Sequence, residues 1–273
     1  MRLAAVSLLI ICLCSVTSIA SSPSDTQQLS HAQRVWEEAI LAKGGRERLE
    51  SVRSIFISSR SKYWHGMKRY GVFTEELNVF PGKMWLWQDY RSDVFGLTVE
   101  LYDFDKGIKY ITSSDVPPPE PRAIEPTETV LSQTCGLLGY LMETKWLKPQ
   151  VIGLNESSLR RHKVDIVHTV LTDHAEGFLL EEIYVDFWID RQTHLPTKVS
   201  YARTKLGQKG SPMYIALPEY VEVNGIKVPS KTEIDGVRGN VVVQLNVSYE
   251  EELFSRPPSI AAGADAWKAK ARQ

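Results

Sequence analysis

The chain has little cysteine, almost no net charge and no long apolar run beyond its first twenty residues. Two of its three cysteines, Cys12 and Cys14, lie within residues 1–20, and only Cys135 remains beyond them. No disulfide can form within that later part, so its stability has to come from a buried core. The formal net charge is −1 over 273 residues, which excludes a nucleic-acid binder held by phosphate electrostatics. No apolar stretch after residue 20 reaches the roughly 20 residues that a membrane-spanning helix needs. The motifs G-x-S-x-G, H-E-x-x-H and C-x-x-C are all missing, as is any Gly-rich phosphate loop. These absences remove the common signatures of serine hydrolases, zinc proteases, dithiol redox proteins and nucleotide-binding folds.

What is present begins with a leader-like segment. Arg2 is followed by an apolar run over residues 3–16, and Ser18 and Ala20 are small residues at the −3 and −1 positions of a cleavage site. Residues 1–20 read as a secretory signal peptide. Neither Cys12 nor Cys14 follows a small residue, which argues against a lipid-modified N-terminal cysteine. The expectation is an exported protein, periplasmic if the cell is Gram-negative, with no transmembrane segment after cleavage.

Residues 21–30 read as a polar linker, and one domain is expected over 31–254. It opens with an amphipathic helix carrying Val35, Trp36, Ala39, Ile40 and Ala42, stopped by Gly44-Gly45. From 53 to 111 the period becomes strand-like, broken by turn signals at 65–66, 81–82, 91–93 and 105–107. Breaks about 10 to 16 residues apart suit adjacent antiparallel strands and leave no room for helical crossovers. A Pro-rich loop is expected over 112–126, then an inserted helix over 127–148, with strands resuming near 161. Six candidates follow, at 162–171, 178–189, 195–203, 213–223, 226–234 and 240–249, with Asn224-Gly225 the strongest hairpin turn. Residues 255–273 read as a C-terminal tail.

The stretch VDFWIDRQTHLPTKVSY, residues 185–201, collects Asp186, Asp190 and His194 and invites an acid–base or metal reading. On a strand the two aspartates share a face but stand about 13 Å apart, too far to share a metal ion or act as a retaining carboxylate pair. Asp190 instead suits the start of an Asp-Arg-Gln-Thr turn, with His194 at its exit. His162 and His168, about 20 Å apart on one strand, do not make a zinc site. Cys135 falls on the apolar face of the inserted helix, where a packed core cysteine is the expected role.

Two strands break the usual alternation. Val185, Phe187 and Ile189 make one apolar face of 178–189, while Tyr184 and Trp188 populate the other; Met84, Trp85, Leu86 and Trp87 are also apolar on both sides. A sheet with one wet face alternates, so both faces here must be covered, by helices or by a ligand. Gly136 and Gly139 in the inserted helix each cost about 1 kcal/mol against alanine, and the reason is either close helix–sheet approach or room left for a ligand. The candidate cavity residues are Trp85, Trp87 and Trp188 on strands, with Leu138, Leu141, Met142 and Trp146 on the inserted helix. Burying a sixteen-carbon acyl chain contributes roughly 12 kcal/mol gross, so shape and apolarity would suffice for binding without a polar motif.

The plan and three local stretches resemble the LolA/LolB-type lipoprotein-carrier superfamily. Residues 185–196, with Trp188-Ile189-Asp190, Thr193 and Leu195-Pro196, are similar to that family's WID-x-x-T-x-LP hairpin. Residues 31–54, with Gly44-Gly45 and Val52-Arg53-Ser54, resemble the opening of outer-membrane lipoprotein-sorting-like proteins, and 217–229 resembles their late hairpin. The Pro-rich loop and the tail depart from the carrier pattern. The resemblance implies an α+β, mostly β fold: a curved antiparallel sheet, an incomplete barrel, closed by helices around an acyl-binding cavity. It carries over no catalytic residue and no cofactor. The expected function is non-enzymatic binding of an acyl chain or lipoprotein, with transient contact to a membrane or envelope protein. An envelope interaction or stress-sensor module that binds a protein partner through its curved sheet is the alternative, and an enzyme comes third.

Overall fold

The computed structural model describes residues 25–65, 68–90, 96–113, 120–124, 136–159, 162–171, 183–205, 208–209, 213–234 and 236–255. The leader, the turn at 91–93, Cys135, most of the Pro-rich loop, the first part of the inserted helix and the tail beyond 255 lie outside these residues.

Helix α1 (Asp25–Lys43) buries Ala32, Val35, Trp36, Ala39, Ile40 and Lys43, a three- and four-residue spacing that draws one stripe toward the sheet. It starts within the expected linker, and Gln28 Nε2 donates to the carbonyl of Leu154 at 3.2 Å, tying this early turn to the sheet. Gly44 (φ 133°) and Gly45 (φ 90°) end the helix, with Gly45 N–H donating to the carbonyl of Ile40 at 2.9 Å. The five-residue helix α2 (Arg46–Glu50) follows.

The strands are β1 (Ser54–His65), β2 (Lys68–Val79), β3 (Lys83–Tyr90), β4 (Gly96–Asp103), β5 (Ile108–Ser113) and β6 (Arg122–Ala123), then helix α3 (Gly136–Leu141). After it come β7 (Gln150–Leu159), β8 (His162–Leu171), β9 (Ile183–Asp190), β10 (Pro196–Lys205), β11 (Gln208–Lys209), β12 (Met213–Val223), β13 (Ile226–Ile234), β14 (Val237–Leu245) and the short α4 (Glu252–Ser255). Thirteen of them form one path, β6-β5-β4-β3-β2-β1-β14-β13-β12-β10-β9-β8-β7, and β11 pairs off it with β10. The pairings are antiparallel, and β1–β14 joins the two meanders. β6 and β7 stand at opposite ends, so the path does not close into a barrel.

Strand β7 was not foreseen, because the inserted helix was expected to run to 148 and strands to resume near 161. Its sequence QVIGLNESSL lies largely exposed at the sheet edge, where no buried face imposes alternation. The 185–201 stretch is the expected hairpin. Asp190 accepts from Gln192 N–H at 2.9 Å, Thr193 N–H at 2.8 Å and Thr193 Oγ1 at 3.1 Å, while Asp186 meets His168 Nδ1 at 2.7 Å on the neighbouring strand.

The sheet curls. Helix α1 touches β7, β8 and β13, which stand five strand spacings apart in the path. The 19 residues of α1 span roughly 28 Å, and the helix runs across these strands from Gln28 at β7 to Gly44 at the β12–β13 turn. The concave face of β7–β10, β12–β14 and β1 forms one core with α1, α2 and α3, and Trp36 of α1 meets Phe187 of β9 edge-on at 5.0 Å. A second core lies on the opposite face. Phe56, Leu77, Trp85 and Leu101 stand in cross-strand register on β1–β4 and pack with Phe254 of α4.

One close approach fixes α1 against the sheet. A Cβ built on Gly44 would lie 2.4 Å from the carbonyl oxygen of Gly225, in the β12–β13 turn. Gly44→Ala is therefore expected to cost about 2–4 kcal/mol, from a backbone clash and a strained φ together. Urea unfolding checks this; a midpoint unchanged from wild type would contradict the seating of α1 on that turn.

Candidate functional site: a helix-covered concave face with a polar wall

Helix α3 has the sequence GLLGYL, and the sheet explains why so apolar a segment is helical. Leu137, Leu138, Leu141 and Met142 are fully buried in the concave core. Burial of these four side chains against the sheet holds the described part of α3 in place. It ends at Met142, which takes φ 65° and donates its N–H to the carbonyl of Leu138 at 2.8 Å. Thr144 Oγ1 then accepts from Trp146 N–H at 3.2 Å and Leu147 N–H at 3.0 Å, folding a tight loop. This is why the described helix stops at 141 rather than running to 148 as expected. A Cβ on Gly139 would find its first neighbours, Tyr201 Oη and Leu217 Cδ2, at 3.8 and 3.9 Å, so space does not demand glycine there.

Two polar ties hold α3 and its loop to the N-terminal helices. Lys43 Nζ donates to the carbonyl of Tyr140, and Arg46 bridges Glu143 and Glu37, the latter at 2.6 Å. Glu143 is buried; desolvation raises its pKa and the Arg46 charge opposes that rise. Lys43 is fully enclosed, 4.9 Å from the Tyr220 ring centroid, and burial brings its pKa down to about 7.

Beyond β1 the concave face changes character. Ile57 pairs across to Glu76, and Ile55 to Asn78, so both polar residues of β2 continue the apolar face. Glu76, Leu86 and Glu100 form the next row across β2–β4, with Asn78, Met84 and Tyr102 beside it. Tyr102 Oη donates to Glu100 at 2.6 Å, and Asn78 Nδ2 donates to Glu76 Oε1 at 2.6 Å. Desolvation raises the Glu76 pKa, with Asn78 as the opposing hydrogen-bond partner. Tyr140 and Tyr220 are also pushed up by burial, Tyr140 further by the charge of Glu76. Glu76, Tyr140 and Tyr220 are half-buried.

The seven residues expected at a cavity fall in four places. Leu138, Leu141 and Met142 lie together under α3 in the concave core. Trp146 stands at its rim, stacked on Phe80 at 5.7 Å with Arg53 at 5.4 Å from its ring. Trp85 and Trp87 belong to the second core on the opposite face, covered by the chain's own C-terminal segment. Trp188 is half-buried on the outer face of β9, 6.4 Å from Tyr214, with Lys198 Nζ 4.4 Å from its ring. Glu76, Asn78, Tyr140 and Lys43 were not among the expected residues. Lys43 had a signal: it extends the 36, 39/40 spacing of the buried stripe.

Neither a family model nor a curated protein matches the chain. Solved structures similar to it include a DUF1329 family protein from Desulfovibrio piger, at TM-score 0.47 and 10% identity, covering 85% of this chain and 98% of that one. A LolA superfamily protein from Nitrosomonas europaea has TM-score 0.47 and 10% identity, covering 82% and 96%. An outer membrane lipoprotein-sorting protein domain from Vibrio parahaemolyticus has TM-score 0.46 and 10% identity, covering 83% and 97%. These are likenesses of chain plan. Among the described residues, no helix is long and apolar enough to cross a membrane, and no group of three or more His, Cys, Asp and Glu side chains is placed to hold a metal ion.

The buried lysine gives this site a pH signature. With its folded pKa lowered to about 7 from 10.5, the unfolded chain binds the extra proton across that window, so this group makes stability rise with pH. Lys43→Met is expected to raise stability at pH 7 and to gain less than wild type between pH 7 and pH 9. Urea midpoints of both proteins at both pH values check it; parallel changes would contradict a desolvated Lys43.

Proposed function

We propose that the protein is an exported binding protein that holds an acyl chain or a similarly apolar ligand between α3 and the concave sheet face, as a lipid or lipoprotein carrier would. The observation that carries this reading is an apolar concave face covered by an apolar helix with two polar ties to its neighbours. Four buried side chains of α3 and its end contribute about 1.5–3 kcal/mol each, so roughly 6–12 kcal/mol in all. An acyl chain of about twelve carbons contributes a similar amount, at about 0.8 kcal/mol per methylene. Such a chain can replace α3 on the sheet at little net cost.

In this reading Leu138, Leu141 and Met142 face the ligand and Trp146 stands at the entrance. Opening takes place in transient contact with a membrane or an envelope protein. The reading assigns no catalytic residue and no cofactor. A second reading, a module that binds a protein partner through its outer face, has the half-exposed Trp188, Lys198 and Tyr214 ladder in its favour.

Native mass spectrometry of protein purified without detergent is expected to show bound apolar molecules, and added Nile red is expected to bind with a blue-shifted emission. Arg46→Ala removes the charge that pairs with buried Glu143 and is expected to speed Nile red uptake by about tenfold or more. A ligand-free mass with no Nile red binding would reject the carrier reading and favour the outer-face module.

A further inference from the structure

We propose that Trp146, Arg53 and Lys145 form a docking patch for a phospholipid surface with anionic head groups, beside the end of α3. Such a contact deepens the carrier reading and rests on it for its purpose, since a bilayer is the source of acyl chains. Three segments build the patch. Trp146, in the loop after α3, stacks on Phe80, just past β2, with ring centroids 5.7 Å apart. Phe80 N–H donates to the carbonyl of Arg53 at 2.9 Å, and Arg53 N–H donates to Asn246 Oδ1 at 2.7 Å. Arg53 Cζ lies 5.4 Å and Lys145 Nζ 5.7 Å from the centre of the Trp146 ring. Two cations thus accompany one indole whose place is fixed by its neighbours.

These groups have the chemistry of a membrane–water boundary. Arg53 and Lys145 are exposed, and Trp146 is half-buried. Among the described residues neither cationic head has an ion pair or donates a hydrogen bond, so their N–H groups are open to phosphate oxygens. Acids at this end of the molecule are already paired: Glu50 with Lys148 at 2.6 Å, Glu251 with Lys83 at 2.9 Å, and buried Glu143 with Arg46. Tryptophan settles at head-group level, where its ring meets apolar chains and its N–H meets water. The whole chain has a net charge of only −1, so attraction to an anionic surface has to come from a local cluster such as this one. The position favours a bilayer over an acidic protein. Trp146 follows closely on Leu141 and Met142, which face the proposed ligand, so a bilayer held here lies at the acyl entrance.

Flotation of the whole protein with phosphatidylcholine vesicles, with and without about one third phosphatidylglycerol, tests the patch. Wild type is expected to partition about tenfold or more in favour of the anionic vesicles, and to come off at about 0.5 M salt. Arg53→Ala with Lys145→Ala is expected to lower that partitioning about tenfold or more. Trp146→Ala is expected to lower it several-fold; the double variant, confined to exposed side chains, serves if Trp146→Ala does not fold. Lys163→Ala removes one charge at the far end of the β7–β8 hairpin and is expected to change it less than about twofold. Equal binding to both kinds of vesicle, binding unchanged in the double variant, or a loss as large in Lys163→Ala would overturn the patch. Nile red binding without any vesicle binding would overturn it too and leave the carrier reading standing.

Discussion

The apolar concave face of the curled sheet has to be kept from water, and the rest of the structure follows from how that is done. Most of the work falls to α1. Its stripe from Ala32 to Lys43 lies along the trough, Trp36 sits against Phe187, and Gly44 brings the helix end onto the β12–β13 turn with no space for a side chain. That seat is rigid because backbone meets backbone. The helix crosses from β7 to the β12–β13 turn, and the strand path ends at β6 and β7 without closing.

Helix α3 covers what α1 leaves, by different physics. Its described part, GLLGYL, is almost wholly apolar and packs into the concave core. Its ties are polar: a desolvated lysine on a backbone carbonyl, and a buried glutamate paired with Arg46. Packing of this kind is strong in sum and unspecific in partner, so another apolar body can take its place. Next to it the sheet turns polar at Glu76 and Asn78.

Much of this fold was legible in the sequence. Turn signals placed β12 and β13 at their observed bounds, and Gly44-Gly45 marked the end of α1. The distance argument over Asp186 and Asp190 identified the hairpin. The site was less legible, for a specific reason. A strand that is apolar on both sides states that both faces are covered and does not say by what. For Trp85 and Trp87 the cover is the C-terminal segment around Phe254; for Trp188 it is a ladder of Lys198 and Tyr214. The polar wall was hidden because FTEELNV, residues 73–79, places a glutamate on each face. Only the pairing of β2 with β1 shows that Glu76 continues the trough while Glu75 turns away. The end of α3 was hidden too, since a residue with the ordinary helical preference of Met142 takes a left-handed turn there.

The central proposal is that an apolar chain lodges between α3 and the concave sheet face. Anomalous scattering from crystals grown with 12-bromododecan-1-ol tests it most directly. The account predicts a bromine peak within the concave core, near Leu138 and the strands beneath it. Bromine found only on the outer surface, with α3 seated as in the unliganded protein, would contradict it.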